Sequence, residues 1–213
     1  MICQIMDPHK SSSLLIELHY FPCVHFFSLL SEHDTIVLEA HETFQKQSYR
    51  NRTQILSSQK VENLLIPVLS GNSHLPIRDI RIDHSQKWRI IHQRAIRSAY
   101  GKSPFFEYYS EDILSLYDNP VPFLFDFNLN VLTLCLKLLK WKKKILLSSG
   151  YQTLDATKMS DFKDFRGVIH PKKELQTDFK PYQQVFGRQF EPNLSILDLL
   201  FCEGNNCNPY LTR

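Results

Sequence analysis

Blocks of apolar residues separated by polar turns occupy the first part of the chain and predict short strands. Apolar runs at residues 14–20 and 35–38 have the length of buried strands. Residues 24–30, which follow Pro22, suit a helix entered through its first turn. A third strand is expected to begin near Ile55, after a long charged segment. A strand, a helix and a second strand in this order are typical of α/β proteins.

Helical spacing dominates most of the remaining chain. The clearest helix spans residues 86–100, with Ser85 or Asp83 as its N-cap and Gly101 at its end. The other predicted elements are an edge strand at 64–69 limited by Pro67, a half-exposed strand at 77–82, helices at 110–117 and 123–140, a strand at 145–147, a polar loop at 155–181 and a helix at 193–201 capped by Ser195 or Asn193. The 123–140 helix is apolar on almost every side, so it should be central.

These elements predict an α/β fold: a single compact domain with a mixed sheet, flanking helices and a long functional loop near residues 155–181. The length of 213 residues suits one domain with a sizeable core. We expect that domain to span residues 13–204, with an atypical or flexible N-terminus at 1–12 and a C-terminal tail at 205–213. Loops as long as 155–181 are usually functional or mobile in compact domains.

Composition limits the class of protein. A net charge of +3 is too small to indicate a nucleic-acid binder, although a small anionic substrate fits it. The five cysteines form no C-x-x-C pair, which argues against a disulfide framework and a zinc site. The apolar tract at 131–139 is interrupted by Lys137 and is shorter than the roughly 20 residues of a membrane span. We therefore expect a cytoplasmic protein with no membrane span. The cofactor and the oligomeric state are left open.

The run at residues 39–52 is the best candidate for a binding site. Its ionisable side chains lie between the end of one predicted strand and the start of another, where α/β proteins build sites. If Arg50 and Arg52 begin a strand, both guanidiniums face one side and suit phosphate or carboxylate. Alternatively, they pair internally with Glu39 and Glu42 or are solvated. Because no glycine-rich phosphate loop is present, a nucleotide would have to be held by side chains.

Other ionisable residues have two interpretations each. His92 lies one helical turn from Trp88, so it is either a general base or a buried core histidine. Asp198 is either a surface charge or a partner of Arg166 in the long loop. None of the histidines has the spacing of a metal site.

Five blocks of sequence resemble the WbqC-like family in order and spacing. They are residues 19–22 (HYFP), residues 46–52 (KQSYRNR), Trp88 with His92, residues 99–106 (AYGKSPFF) and residues 194–201 (LSILDLLF). One position departs from the family pattern, since Cys202 stands where an Asn is usual. The resemblance implies a role in the biosynthesis of O-antigen or other surface polysaccharides.

The pathway that the resemblance implies, together with the absence of cofactor motifs, suggests a transferase that moves an acyl or aminoacyl group onto a sugar nucleotide or glycan precursor. Glu42 and His92 are the candidates for the catalytic base. The side chains expected to bind substrate are His19, Tyr20, Glu39, Lys46, Arg50, Asn51, Arg52, Trp88, Tyr100, Arg166 and Asp198. The alternative is a non-catalytic module that binds an anionic carrier, a partner protein or nucleic acid.

Overall fold

The computed structural model of the chain describes residues 13–69, 74–151, 162–173 and 178–212. The predicted N-terminal segment 1–12 and much of the predicted 155–181 loop lie outside these residues. In chain order the elements are β1 (Ser13–Glu17), α1 (Val24–Ser31), β2 (Thr35–Glu39), β3 (Arg52–Leu56), β4 (Val61–Leu65), a 3-10 turn (Ile77–Asp79), α2 (Trp88–Tyr100), α3 (Phe106–Ser115), α4 (Leu124–Leu138), β5 (Lys144–Leu147), β6 (Phe162–Asp164), α5 (Ile196–Glu203), a second 3-10 turn (Gly204–Asn206) and α6 (Asn208–Leu211).

Four strands form a parallel sheet in the order β5-β2-β1-β6. Its two central strands are apolar and almost fully buried, as parallel strands are when helices cover both faces. Leu14 pairs with Ile36, and the same register sets Glu17 opposite Glu39 at the carboxyl ends of β1 and β2. Two carboxylates are therefore at the same level, at the edge where open α/β sheets bind their ligands.

Strands β3 and β4 form a separate antiparallel hairpin. Arg52 is opposite Leu65 at its open end, while Ser57 and Lys60 close the turn through backbone and hydroxyl hydrogen bonds. The amide of Ile66 donates to the carbonyl of Asn51, which extends the hairpin by one more hydrogen bond. The α/β class is thus confirmed, with the parallel and antiparallel pairs in two sheets rather than one mixed sheet.

The hydrophobic core is built mainly from strands β1 and β2 and helices α1, α4 and α5. Helix α5 is buried over most of its length, and the Ser195 hydroxyl accepts a hydrogen bond from the Leu197 amide as its N-cap. Helix α4 is buried along most of its sides, as its continuous apolar pattern predicts. Among the described residues, no helix has both the length and the apolar character that crossing a bilayer requires.

Several predicted boundaries were wrong. Residues 77–82 contain a 3-10 turn at Ile77–Asp79, because Ile77 and Ile80 are both buried and their spacing of three matches that turn. Strand β4 ends at Leu65, before Pro67, instead of running to residue 69. The predicted 155–181 loop contains the edge strand β6. This strand has only three residues, of which Lys163 is the exposed one, so it shows too little periodicity to detect.

Two helix starts also differ from the prediction. Helix α2 begins at Trp88 with Lys87 as its N-cap, since the Asp83 carboxylate instead accepts hydrogen bonds from the amide and hydroxyl of Ser85. Helix α3 begins at Phe106, one turn before the predicted start at 110. Gly101 does follow the last turn of α2, as predicted.

Candidate active site

Two buried glutamates mark the carboxyl edge of the parallel sheet. Glu17, at the end of β1, accepts hydrogen bonds at both carboxylate oxygens from the Gly167 amide, at 3.1 and 3.0 Å. Glu39, at the end of β2, accepts from the Ser148 hydroxyl at 2.7 Å and from the His41 amide at 3.0 Å. Their exposed fractions are 1% and 0%, so both carboxylates rely on protein donors rather than bulk water.

Arg50 brings a third carboxylate into the same region. Its guanidinium binds Glu42 in a bidentate manner, with Nε 2.6 Å from Oε1 and Nη2 in contact with Oε2. The same Nη2 lies 3.8 Å from Oε1 of Glu17. Burial opposes the charge of Arg50, but Glu42 and Glu17 outweigh it and raise its pKa. Burial also raises the pKa of Glu42 against the effect of Arg50, yet the bidentate geometry favours the charged pair.

Arg166 closes the cluster from the β6 side. Its Nε and Nη2 bind the Asp164 carboxylate at 3.0 and 2.7 Å, and its Nη1 binds Glu39 at 2.8 Å. Only 10% of this side chain is exposed. Arg166 therefore joins the ends of β6 and β2. We call these linked groups, together with His19, the carboxyl-edge cluster: Glu17, His19, Glu39, Glu42, Arg50, Asp164 and Arg166.

His19 is the titratable base of this cluster. It is fully buried, packs between the rings of Phe26 and Tyr49, and has its Nε2 3.4 Å from Oε1 of Glu17. That separation is longer than the usual catalytic pair of about 2.6–3.2 Å, and such pairs tighten when substrate binds. Among the described residues neither ring nitrogen forms a hydrogen bond, so the 3.4 Å approach of Nε2 to Glu17 is an ionic contact and Nδ1 has no polar partner. An imidazole with one nitrogen facing a carboxylate at 3.4 Å and the other without a polar partner can act as a general base once the contact shortens.

The pKa shifts agree with a neutral imidazole beside an ionised carboxylate. Burial, supported by the charge of Arg50, lowers the pKa of His19 despite the attraction of Glu17. Burial opposes ionisation of Glu17, but His19 and Arg50 outweigh it and lower its pKa to about 2. At neutral pH the pair is therefore Glu17 anion and neutral His19, which can accept a proton.

Among the described residues, the cluster holds more carboxylates than guanidiniums. Four carboxylates meet two guanidiniums there, and both guanidiniums are already bound by carboxylates. Arg50 is only 2% exposed, so its guanidinium is not accessible to an added phosphate. The Arg50–Glu42 ion pair is the internal pairing that the sequence analysis left open as an alternative. An excess of buried negative charge favours a cationic or amine-bearing group over a phosphate at this position.

His92 lies in a different, aromatic cluster. Its Nδ1 is 2.9 Å from the Tyr20 hydroxyl, which also contacts the Tyr117 hydroxyl, and its ring centroid is 5.2 Å from that of Trp88. Burial lowers the pKa of His92 to about 4. In the described part of the chain, no hydrogen bond or ring contact of His92 reaches Arg50. Three predicted site residues, Tyr20, Trp88 and His92, therefore pack together in the hydrophobic core.

Asp198 and Tyr100 form a third group around α5. The Asp198 carboxylate is fully buried and accepts hydrogen bonds from the Tyr182 hydroxyl at 2.7 Å and from Gln184 Nε2 at 2.9 Å. Tyr100 stacks on Phe201, with ring centroids 5.0 Å apart. Asp198 is therefore neither a surface charge nor the partner of Arg166, because its partners come from the segment that precedes α5.

The last three predicted residues, Lys46, Asn51 and Arg52, line a cavity of about 350 Å³ beside the hairpin. We call it the hairpin pocket; its walls include Phe44, Lys46, Asn51, Arg52, Leu65 and Val68. Arg50 and Arg52 do not share one face as expected, since Arg50 precedes β3 and turns into the carboxyl-edge cluster. The two guanidiniums consequently lie in different surroundings.

The model of the WbqC-like protein family matches residues 18–178. The chain belongs to this family. The matched region includes His19, Glu39, Glu42, Arg50 and Arg166, so most of the carboxyl-edge cluster lies within the WbqC-like region.

The chain is also similar to a protein of Mycobacterium tuberculosis (strain ATCC 25618 / H37Rv) named "Uncharacterized protein Rv1507c". The two are 25% identical over 92% of this chain and 96% of the relative. No solved structure matches the chain significantly.

Sequence reasoning missed several residues of this site. Glu17 and Asp164 of the cluster were not among the predicted site residues, nor were Ser148 and Gly167, which donate hydrogen bonds to Glu39 and Glu17. Glu17 offered a signal, because it is a single carboxylate in an otherwise apolar predicted strand. Gly167 offered none, since its role depends on a backbone amide placed 150 residues away along the chain.

The position that departs from the WbqC-like pattern lies away from the cluster. Cys202 is buried near the end of α5, and burial and the charge of Asp198 raise the pKa of its thiol. The cysteine is therefore a packed thiol in the Asp198 group, and its replacement of Asn changes that group rather than the carboxyl edge.

Proposed function

We propose that the protein is a transferase of surface-polysaccharide biosynthesis that moves an acyl or aminoacyl group onto an amine of a sugar nucleotide or related glycan precursor. The observation that carries the proposal is the buried Glu17–His19 pair, in which Nδ1 of His19 lacks a partner among the described residues. The chain's membership of the WbqC-like family supports the pathway, because a role in surface-glycan biosynthesis is what the resemblance to that family implies.

The excess of carboxylates over guanidiniums favours an acceptor substrate that carries an amine. An amino group entering the carboxyl-edge cluster meets negative charge that the two arginines do not neutralise. Of the nitrogen and oxygen nucleophiles on sugars, an amine is the one that gains from such surroundings. We therefore assign an amine-bearing sugar, rather than a hydroxyl of a neutral sugar, as the acceptor.

His19 supplies the proton transfers in this mechanism. The bound ammonium first loses one proton to solvent, which leaves a neutral amine. The amine nitrogen then attacks the acyl carbonyl and forms the new N–C bond, while a second proton moves from that nitrogen to Nδ1 of His19. Glu17 stabilises the resulting imidazolium through Nε2. The bond from the carbonyl carbon to the sulfur or oxygen of the donor then breaks, and His19 returns the proton to that leaving group.

We assign the base to His19 in preference to Glu42 and His92. Arg50 binds both carboxylate oxygens of Glu42, so neither oxygen is available to take a proton from a substrate. Nδ1 of His92 is already engaged by the Tyr20 hydroxyl. In this proposal Glu42 holds Arg50 in place, while Tyr20, Trp88 and His92 support the strand end that carries His19.

The alternative of a binding module on a basic surface finds less support. Such a module needs guanidiniums exposed on one face. Arg50 is 2% exposed and the Arg166 side chain 10%, and both are bound by carboxylates. Buried ionised networks of this kind are costly to form and are concentrated at catalytic sites.

The test is a transfer assay with purified protein. Amino-sugar nucleotides are incubated with acyl and aminoacyl thioesters, and the amide product is measured by mass spectrometry. We expect His19→Gln to lower turnover by about 10²–10⁴-fold, the usual contribution of a general base. His74→Gln, at an exposed histidine, is the matched control and should not change turnover.

Because His19 is buried, each variant is first checked for folding by thermal melting. Glu17→Gln keeps the shape of the side chain and should also lower turnover, since it removes the charge that stabilises the imidazolium. Folded His19→Gln and Glu17→Gln proteins that turn over at the wild-type rate would refute the assigned base. Failure of every amino-sugar acceptor, with hydroxyl acceptors accepted instead, would refute the assigned nucleophile.

A further inference from the structure

The hairpin pocket lies beside the carboxyl-edge cluster but has the opposite charge. It sits at the open end of the hairpin, where Arg52 is opposite Leu65 in register. Arg50, Asn51 and Arg52 are consecutive, and they divide between the two places: Arg50 turns into the cluster, while Asn51 and Arg52 line the pocket. A molecule in the pocket is therefore next to the proposed active site.

Two cations in the pocket lack a carboxylate partner. Lys46 is exposed and Arg52 is half-buried, and within the described residues neither forms an ion pair. Nε of Arg52 is buried and has no hydrogen-bond partner in that part of the chain. Among the described residues, no Asp or Glu lines the pocket. Its positive charge is thus uncompensated, in contrast to Arg50 and Arg166, and favours an anionic ligand.

The rest of the pocket wall is apolar with amide groups. Phe44 is buried, whereas Leu65, an apolar residue on the same wall, is 52% exposed. Asn63 and Gln47 add amide groups that can both donate and accept hydrogen bonds. Gln47 has a φ of 58°, a left-handed backbone conformation that is uncommon outside glycine and concentrated at functional sites.

This combination matches the chemistry of one ligand class. Nucleoside phosphates carry a flat, partly apolar base with amide-like edges and one or more phosphates. The volume of about 350 Å³ lies in the range of small-molecule sites. The apolar wall suits the base, the amide side chains suit its edges, and Lys46 with Arg52 suit the phosphate.

We propose that the hairpin pocket binds the nucleoside phosphate of a substrate of this enzyme. The proposal rests on the proposed function, which requires either a sugar nucleotide acceptor or a coenzyme A thioester donor, and both carry this group. It also explains how a phosphate is bound without a glycine-rich loop, because two side-chain cations take the place of the backbone amides.

His170 connects the pocket with the cluster. Burial and the neighbouring cations Arg50, Lys172, Lys173 and Arg52 lower its pKa, so it lies within electrostatic reach of both arginines. The phosphate of a substrate would then lie beside the cations of the pocket, and its amine beside the carboxylates of the cluster.

The test is a titration of two probes into the full chain, followed by calorimetry or by amide chemical shifts. Uridine diphosphate represents the sugar nucleotide, and adenosine 3′,5′-bisphosphate represents coenzyme A. We expect one of them to bind and Lys46→Glu to weaken its binding at least about tenfold, or about 1.4 kcal/mol. The probe that binds more tightly identifies which substrate uses the pocket. Lys46 is exposed, so this variant should fold normally.

Lys60→Glu is the matched control, because Lys60 is an exposed lysine at the closed turn of the same hairpin. It makes the same charge change without reaching the pocket, and it should alter probe binding less than about twofold. If Lys46→Glu and Lys60→Glu weaken probe binding equally, the probes respond only to net charge and the proposal is overturned. Binding of neither probe to the wild type would also overturn it. Transfer activity without probe binding would remove the pocket assignment alone, whereas Lys46-dependent binding without transfer would remove only the proposed reaction.

Discussion

At the scale of single residues, the surroundings of each histidine decide whether it can accept a proton during a reaction. His19 has a carboxylate beside one nitrogen and no partner at the other among the described residues. His92 has the Tyr20 hydroxyl at Nδ1 and aromatic rings around it. Both are buried and both have lowered pKa values. Their sequence contexts did not distinguish them, since each stands close to aromatic residues.

The pH dependence of stability tests the state of His92. With a pKa of about 4 when folded against 6.5 when unfolded, His92 is neutral in the fold, and the unfolded chain takes up its proton first as the pH falls. Its contribution to stability is therefore complete above pH 6.5 and lost between 6.5 and 4. His92→Gln cannot titrate at this position. The amount by which its free energy of unfolding falls below that of the wild type should therefore decrease by about 2 kcal/mol between pH 7 and pH 4.5.

Urea unfolding of both proteins at the two pH values measures this change. His74→Gln, at an exposed histidine, serves as the control, and its difference in unfolding free energy from the wild type should not change with pH. If the loss of unfolding free energy in His92→Gln is the same at both pH values, His92 does not have a lowered pKa in the fold.

At the scale of elements, strong periodicity was enough to predict strands β1 and β2 and helices α2, α4 and α5. Their apolar patterns are long and continuous, so tertiary contacts only adjust the ends. Strand β6 was missed because three residues at a sheet edge, Phe162 to Asp164, have too little pattern. The charged run was correctly placed after β2, yet its pairing of Arg50 with Glu42 and Glu17 was one of several alternatives in the sequence.

Arg50 illustrates why the candidate site was only half predictable. Its position after a strand signalled a site, but which partner it binds depends on β1 lying beside the run that follows β2. The backbone carbonyl of Arg50 also accepts a hydrogen bond from Asn128 in α4. These contacts join segments far apart in sequence, and local patterns carry no information about them.

Replacing Arg50 should consequently destabilise the fold. Arg50→Ala leaves the buried carboxylates of Glu42 and Glu17 without their guanidinium, and breaking a buried ion pair costs about 3–5 kcal/mol. Arg94→Ala, at an exposed arginine of α2, should change stability by less than about 0.5 kcal/mol. Chemical denaturation measures both. An Arg50→Ala protein as stable as Arg94→Ala would contradict the charged network described here.

At the scale of the whole molecule, the fold places two sites of opposite charge side by side. Within the part of the chain that the structure describes, the carboxyl-edge cluster has more carboxylates than guanidiniums, while the hairpin pocket is lined by cations and by no carboxylate. The parallel sheet supplies the first site and the separate hairpin supplies the second. A substrate with a phosphate at one end and an amine at the other would be oriented by this charge pattern alone.

The state of His19 tests this account most directly, because it requires no knowledge of the substrate. Nitrogen-15 NMR of histidine-labelled protein, with His19→Gln used to assign the signal, reports which ring nitrogen carries the proton. The account predicts a neutral His19 at pH 7, with the proton on Nε2 facing Glu17 and Nδ1 unprotonated. A protonated imidazolium, or a neutral ring with its proton on Nδ1, would contradict it.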